Sequence, residues 1–99
     1  MQTYNVDLPD SVTEKIREQA LLIALDKPAA AMQWYDRIFD KIFSLELMPE
    51  RCSEAPESQY FTYVIRQLVI GDYRVLFRVV GDTVRILDFK GGRENKPSL

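Results

Sequence analysis

The chain contains no histidine and a single cysteine among its 99 residues. Without histidine it lacks Ser-His and Cys-His nucleophile pairs, the usual zinc sites and the side chain best suited to proton transfer near neutral pH. Cys52 stands alone, so it forms no internal disulfide and no thiolate metal cluster. We therefore expect no cofactor and no metal site, and any acid–base chemistry has to use carboxylates, tyrosines, lysines or arginines.

Long hydrophobic runs are also missing. The longest is far shorter than the roughly 18 residues of a membrane span, and Met1–Tyr4 lacks the basic and then apolar order of a signal peptide. We therefore expect a cytoplasmic protein that does not contact a membrane. Apolar residues nevertheless make up 46% of the chain, which favours a packed core, and the length predicts one domain over residues 1–99.

Positive charge is scarce overall and unevenly distributed. The net charge is −2, which argues against a general nucleic-acid binder. Residues 1–59 hold 6 Lys/Arg against 11 Asp/Glu, whereas residues 60–99 hold 7 against 4. The positive excess therefore lies in the C-terminal part, where a local field of this sign steers an acidic partner.

The hydrophobic pattern of the first half predicts one short strand and two helices. Tyr4–Leu8 alternates apolar and polar residues, as a strand does. Ser11–Glu14 has the pattern of a capping box at the start of a helix that runs to about Asp26. Pro28 suits the first turn of a second helix, which continues to about Glu46. Because only one or two residues separate the helices, we expect an antiparallel pair.

The second half predicts three strands after a surface loop. The loop is residues 47–60, and the strands are Phe61–Ile70, Tyr73–Val80 and Thr83–Lys90. Both turns between the strands are Gly-Asp, and glycine in the first central position predicts a type II′ turn. The order is thus β-α-α-β-β-β. The sequence predicts an α+β fold in which the helix pair packs on one face of a mostly antiparallel sheet.

The register of the last hairpin predicts which side chains share a face. The face away from the helices is expected to carry the cross-strand pairs Arg78–Arg85, Leu76–Leu87 and Arg74–Phe89. Two arginines directly opposite each other destabilise a sheet unless solvent or an acidic partner separates them. Since exposed amphipathic faces often bind partners, this face is the candidate docking surface. A solvated arginine paired with Asp or Glu is the second interpretation of Arg74.

The same register places Arg66 on the helix side, near Phe77. There it is a candidate for a structural ion pair with an acidic side chain of the helices or the loop. A one-residue bulge would reverse such face assignments, because side chains alternate along a strand.

Three stretches of the second half, Ile65–Leu68, Gly71–Phe77 and Val84–Leu87, followed by a basic tail, resemble the RelE/ParE family of bacterial toxins. The two helices and the Ser-Leu-Glu run at 44–46 before Pro49 are similar too, so the resemblance covers nearly the whole chain. It implies the toxin of a type II toxin–antitoxin, or plasmid stabilisation, system, which inhibits growth. It also implies a cognate antitoxin whose flexible segment wraps the toxin and blocks it, as a hetero-oligomer.

The resemblance leaves two mechanisms open. One branch of the family is a metal-independent endoribonuclease that cleaves messenger RNA on the ribosome. In that case Arg74 matches its strand arginine and Arg93 its C-terminal arginine, and both would be catalytic. The other branch poisons DNA gyrase by binding it, without enzymatic activity. The absence of histidine near the end of the last strand, the absence of tyrosine after Arg93 and a sequence pI of about 5.1 disfavour the nuclease.

For either mechanism the resemblance and the predicted register together indicate a set of residues that contact the antitoxin or the target. These residues are Arg74, Arg78, Arg85, Leu76, Leu87, Phe89, Lys90 and Lys96. A third alternative is a non-toxic relative of the same fold, whose sheet only binds a partner chain.

Overall fold

The computed structural model describes residues 1–91. In chain order, β1 is Asn5–Asp7, α1 is Asp10–Ala24, α2 is Pro28–Phe43, β2 is Arg66–Ile70, β3 is Tyr73–Val80 and β4 is Thr83–Lys90. Three short 3-10 turns, at residues 44–46, 49–51 and 56–60, lie between α2 and β2. The predicted α+β class and the order β-α-α-β-β-β are confirmed. None of the helices among those residues is long and apolar enough to span a bilayer.

The first helix begins earlier than its sequence pattern predicts. Pro9 is extended, with φ −67° and ψ 149°, and no side chain caps the helix that starts at Asp10. The amide of Val12 donates to the carbonyl of Pro9 at 3.0 Å, so Ser11 lies inside the first turn and the predicted capping box is wrong. The second helix begins at Pro28, as predicted, because the missing N–H and fixed φ of proline suit a first turn.

The core lies between the helices and one face of the sheet. Ile16 of α1 and Ile38 and Ile42 of α2 are fully buried against Phe77 of β3 and Ile86 of β4. Fully burying one such side chain contributes roughly 1.5–3 kcal/mol. The predicted packing of both helices on one sheet face is therefore confirmed.

The sheet has four strands in the order β1-β4-β3-β2. β1 runs parallel to β4, whereas β2–β3 and β3–β4 are antiparallel hairpins. Gly71 and Gly81 have φ of 59° and 60°, as the first position of a type II′ turn requires. β2 begins at Arg66 rather than at Phe61, because residues 61–65 leave the sheet and cross over it.

A bulge in β4 changes the predicted register of the last hairpin. Close to the turn the observed pairs are the predicted ones, including Arg78–Arg85. After Phe77 the register shifts, and the remaining pairs are Leu76–Asp88, Val75–Phe89 and Arg74–Lys90. The predicted pairs Leu76–Leu87 and Arg74–Phe89 are therefore wrong. Leu87 is the extra residue of the bulged strand, which rotates the residues that follow it.

The bulge turns Phe89 into the core. Phe89 is 3% exposed, and its ring centroid lies 5.4 Å from that of Tyr73 and 6.0 Å from that of Trp34. Its predicted place on the exposed face is wrong. The Asp88 carboxylate accepts hydrogen bonds from the Phe89 amide and from Nζ of Lys15, each at 2.8 Å. The bond from Lys15 ties the shifted strand to α1.

Candidate partner-binding face

The face of the sheet that points away from the helices, called the open face below, carries the three predicted arginines. Arg74 and Arg78 alternate with core residues along β3, and Arg85 of β4 lies directly opposite Arg78. Side chains two positions apart on a strand share a face, so the predicted common orientation is confirmed. Their exposure differs, however: Arg74 is 8% exposed, Arg78 is half-buried and Arg85 is exposed.

Residues 55–65, called the covering segment below, lie over one half of the open face. Ala55, Tyr63 and Ile65 pack on Leu76, which is 4% exposed. The Ala55 amide donates to the Ile65 carbonyl at 2.7 Å, and the Ile65 amide donates to the Ser58 hydroxyl at 2.9 Å. These two bonds hold the beginning of the covering segment next to its end. Leu76, predicted to contact a partner, is therefore buried by the chain's own loop.

Arg74 is held in an ion-pair network by this segment. Its two terminal nitrogens donate to the two carboxylate oxygens of Glu57, at 2.9 Å and 2.6 Å. The same guanidinium donates to the side-chain oxygen of Gln67 at 2.9 Å. Nζ of Lys90 donates to Glu57 at 2.9 Å. A bidentate arginine–carboxylate pair is among the strongest polar contacts in proteins, so the guanidinium has a fixed orientation.

The network shifts the pKa of both main partners. The hydrogen bond from Arg74 lowers the pKa of Glu57 to about 2, against the opposing effect of burial, and the bond from Lys90 lowers it further. The hydrogen bond to Glu57 raises the pKa of Arg74. Both groups therefore stay charged at every pH at which the protein is expected to work.

Acid is expected to destabilise the fold through Glu57. Its pKa is lowered on folding from an ordinary value of 4.5 to about 2. The network therefore stabilises the fold above pH 4.5, and this stabilisation is lost as the pH falls towards 2. Allowing for a side chain that is 20% exposed, the loss is about 2 kcal/mol. The free energy of unfolding, measured with urea from pH 7 to pH 2.5, should fall less steeply in Glu57→Gln than in the wild type. Parallel curves would contradict the role of this carboxylate.

Arg66 has a structural contact, but its partner is not acidic. One of its terminal nitrogens donates to the carbonyl oxygen of Cys52 at 2.9 Å. Within residues 1–91 Arg66 forms no ion pair, so the expected carboxylate partner is replaced by a backbone carbonyl. The thiol of Cys52 is half-buried, and burial raises its pKa. A neutral thiol is a poor nucleophile, so the geometry gives Cys52 no reactive character.

At the edge of the covering segment, aromatic rings lie beside the remaining arginines of the open face. The guanidinium carbon of Arg78 lies 3.8 Å from the ring centroid of Tyr63. Phe61 is 50% exposed, and its ring centroid lies 5.3 Å from that of Tyr63. On the other side of Arg78 lie Arg85 and then Leu87, which is 38% exposed. These five residues are called the arginine–aromatic surface below.

Neither Arg78 nor Arg85 forms an ion pair with any residue between 1 and 91. The cation–π contact with Tyr63 contributes about 0.5–1 kcal/mol at such an exposed position. It also fixes the direction of the Arg78 side chain. The two adjacent positive charges repel each other, so an acidic group placed between them would be held by both. Arginines and aromatic residues are the types that dominate binding energy in protein interfaces.

The remaining predicted binding residues have different positions. Lys90 is half-buried and bound to Glu57. Arg93 and Lys96 lie outside the described residues. Sequence reasoning missed Glu57, which pairs with Arg74, and Tyr63, which contacts Arg78. No local pattern identifies either of them, because their partners lie 17 and 15 positions away in the sequence.

An antiparallel helix pair on a small sheet, with arginines on the opposite face, defines the chain as an α+β protein whose open face is the candidate partner-binding surface. The family model of the ParE toxin of the type II toxin-antitoxin system, parDE, matches residues 6–96. The chain therefore belongs to the ParE toxin family and is the toxin of such a system. The family implies an antitoxin partner. A search of curated proteins found no match.

Proposed function

We propose that this toxin inhibits growth by binding DNA gyrase in the cytoplasm, without breaking a bond. The observation that carries the proposal is the bidentate contact between Arg74 and Glu57. A cleavage mechanism built on Arg74 needs its guanidinium free to meet a phosphate. Here the guanidinium is satisfied by a carboxylate and by Gln67.

The charge of Glu57 also argues against phosphate binding at Arg74. Catalysis of phosphodiester cleavage depends on preorganised positive groups at the place where negative charge develops. Glu57 is ionised there, because its pKa is lowered to about 2. A carboxylate beside a phosphate would repel it, and displacing the carboxylate would break the bidentate pair with Arg74.

The arginine–aromatic surface has the composition of a protein-binding site. Its arginines supply charge that steers and orients an acidic partner, and its rings supply apolar contact area at low entropic cost. We propose that gyrase binds here, and that the antitoxin neutralises the toxin by covering the same residues in a hetero-oligomer.

The test is expression of the toxin alone, with two readouts from the same cells. We expect chromosomal DNA breaks with intact messages, and inhibition of supercoiling by purified gyrase in vitro. Primer extension that reveals new cuts within translated codons, with intact DNA, would overturn the proposal in favour of the ribosome-dependent nuclease. Unaffected growth, with normal amounts of folded protein, would instead point to a non-toxic relative.

Charge-reversal variants test, in the same assay, whether gyrase binds the arginine–aromatic surface. Arg78→Glu and Arg85→Glu should each weaken gyrase inhibition at least about tenfold, because reversal replaces attraction with repulsion. Arg37→Glu is the matched control: it makes the same charge change at an exposed position of α2. Equal loss of inhibition in Arg37→Glu and Arg85→Glu would mean that net charge, and not this surface, governs binding.

A further inference from the structure

A pocket lies where β2 begins, at a part of the β3 edge that β2 does not cover. The pairing of the two strands stops at Arg66–Phe77, although β3 continues to Val80. The pocket has a volume of about 300 Å³, which is small for a ligand site. Six residues line it: Glu50, Tyr63, Val64, Arg66, Arg78 and Val79. Two of them, Tyr63 and Arg78, belong to the arginine–aromatic surface, so the pocket adjoins that surface.

Two guanidinium groups reach this pocket from opposite faces of the sheet. Arg66 lies opposite Phe77 and therefore on the helix side, whereas Arg78 lies on the open face. The bond to the Cys52 carbonyl holds one terminal nitrogen of Arg66, and the ring of Tyr63 holds Arg78. Since neither arginine forms an ion pair within residues 1–91, two oriented positive charges meet at one place.

Glu50 is the acidic residue of the pocket lining. It is exposed, and among the described residues it forms no ion pair, so it neutralises neither guanidinium by contact. Two positive charges against one negative charge leave the pocket positive. The pocket therefore favours an anionic group, and Glu50 is expected to weaken that attraction.

The main chain of Val79 supplies a second, independent indication. The Gln67 amide donates to the Ser53 carbonyl at 2.9 Å, away from β3. Because bonded and non-bonded pairs alternate in an antiparallel ladder, Arg66–Phe77 is a bonded pair, and Val79 turns its amide and carbonyl to the same edge as Phe77. Up to residue 91 no backbone group of the chain pairs with them there. Such an open strand edge is a template for an extended peptide.

We propose that this pocket binds an acidic side chain of an extended peptide segment, with its carboxylate between Arg66 and Arg78 and its main chain on Val79. A carboxylate has two oxygens and accepts a charge-assisted hydrogen bond from each guanidinium. A phosphate would meet the arginines equally well, but it has no N–H to donate to the Val79 carbonyl. The proposal rests on the proposed function, since the segment would belong to the partner of the arginine–aromatic surface.

The test uses the full chain, separated from the antitoxin, and a fluorescein-labelled peptide in which valine and glutamate alternate. Fluorescence anisotropy should show saturable binding, which is lost when glutamine replaces the glutamates. Arg66→Gln and Arg78→Gln should each weaken binding about tenfold, because each removes a charge-assisted hydrogen bond. Arg37→Gln is the matched control: it makes the same charge change at an exposed position of α2 and should leave binding unchanged.

Glu50→Gln should have the opposite effect and strengthen binding about twofold, because it removes a negative charge from the pocket. Glu18→Gln, at an exposed position of α1, is its matched control and should change nothing. A gain in affinity does not arise from partial unfolding, so this variant decides the case even if Arg66→Gln is unstable. The bound peptide should also slow hydrogen exchange at the amide of Val79, followed by nuclear magnetic resonance.

Binding that neither Arg66→Gln nor Glu50→Gln alters would overturn the proposal, and so would unchanged hydrogen exchange at Val79. Tighter binding of an oligouridylate with the net charge of the peptide would overturn it in favour of a phosphate ligand. Gyrase inhibition, measured separately, distinguishes the two proposals. Inhibition without peptide binding contradicts this inference alone, whereas peptide binding without inhibition supports it and contradicts gyrase as the target.

Discussion

Replacing Arg74 with alanine is expected to lower the free energy of unfolding by about 3 kcal/mol. The side chains of Arg74 and Glu57 are 10% and 20% exposed, so the substitution leaves a largely buried carboxylate without its main partner. Breaking a buried pair from one side typically costs about 3–5 kcal/mol. The lower end applies here, because Lys90 still donates to Glu57.

Urea unfolding followed by the fluorescence of Trp34, the single tryptophan, measures this loss. Arg85→Ala is the matched control, since it removes an exposed arginine from the same sheet face and should cost less than about 0.5 kcal/mol. A double-mutant cycle with Glu57→Gln isolates the pair: the double variant should be more stable than the sum of the single losses predicts.

The stability of Arg74→Ala decides how any loss of toxicity is interpreted. If the variant is destabilised as expected, weaker killing follows from a smaller folded population, and the amount of folded protein in cells has to be measured beside growth. A variant as stable as the wild type that no longer kills would contradict this account. It would place Arg74 in contact with the target and favour the nuclease interpretation.

Local pattern was sufficient for most of the secondary structure. The strands Tyr73–Val80 and Thr83–Lys90 have their predicted bounds, because the Gly-Asp turns and the alternation of side chains both act within a few residues. The start of the second helix at Pro28 has the same kind of local cause. The helix pair followed from the short connection between two apolar stripes.

The errors arise where a distant contact decides the outcome. The bulge at Leu87 leaves alternation intact on both sides, so hydrophobic periodicity does not reveal it. What selects it is the gain from burying Phe89 against α2. Within the covering segment, residues 55–60 were expected to be a surface loop and residues 61–65 the start of a strand. The contact of this segment with Leu76 depends on the path of residues 55–65 across the sheet. No neighbouring residue specifies that path.

The candidate site was predictable where the strand register decides it, and not where a distant contact does. The strand register sets the common face of Arg78 and Arg85, and the sequence identified it. The sequence left open whether Arg74 binds a partner or is paired with a carboxylate. The structure gives the second arrangement, with Glu57 as the carboxylate. The sequence alone does not say which acidic residue of the loop pairs with Arg74, because that depends on the path of the loop across the sheet.

Replacing Phe89 with alanine is expected to cost about 3–4 kcal/mol of unfolding free energy. The ring is 3% exposed, stacks on Tyr73 and meets Trp34 edge to face. Its removal therefore leaves a cavity in the core and abolishes two aromatic contacts. Because Trp34 is one of those contacts, its native-state fluorescence should change in the same variant, which reports the lost ring directly.

Leu87→Ala is the matched comparison for Phe89→Ala. The observed register buries Phe89 and exposes Leu87, whereas a register without the bulge would expose Phe89. Leu87 is 38% exposed, so its truncation should cost less than about 1 kcal/mol and leave the fluorescence of Trp34 unchanged. Without the bulge, Phe89 would face solvent and its truncation would be nearly neutral. Urea unfolding of both variants therefore tests the bulge itself. A small loss for Phe89→Ala would contradict the bulge and the shifted pairs Val75–Phe89 and Arg74–Lys90.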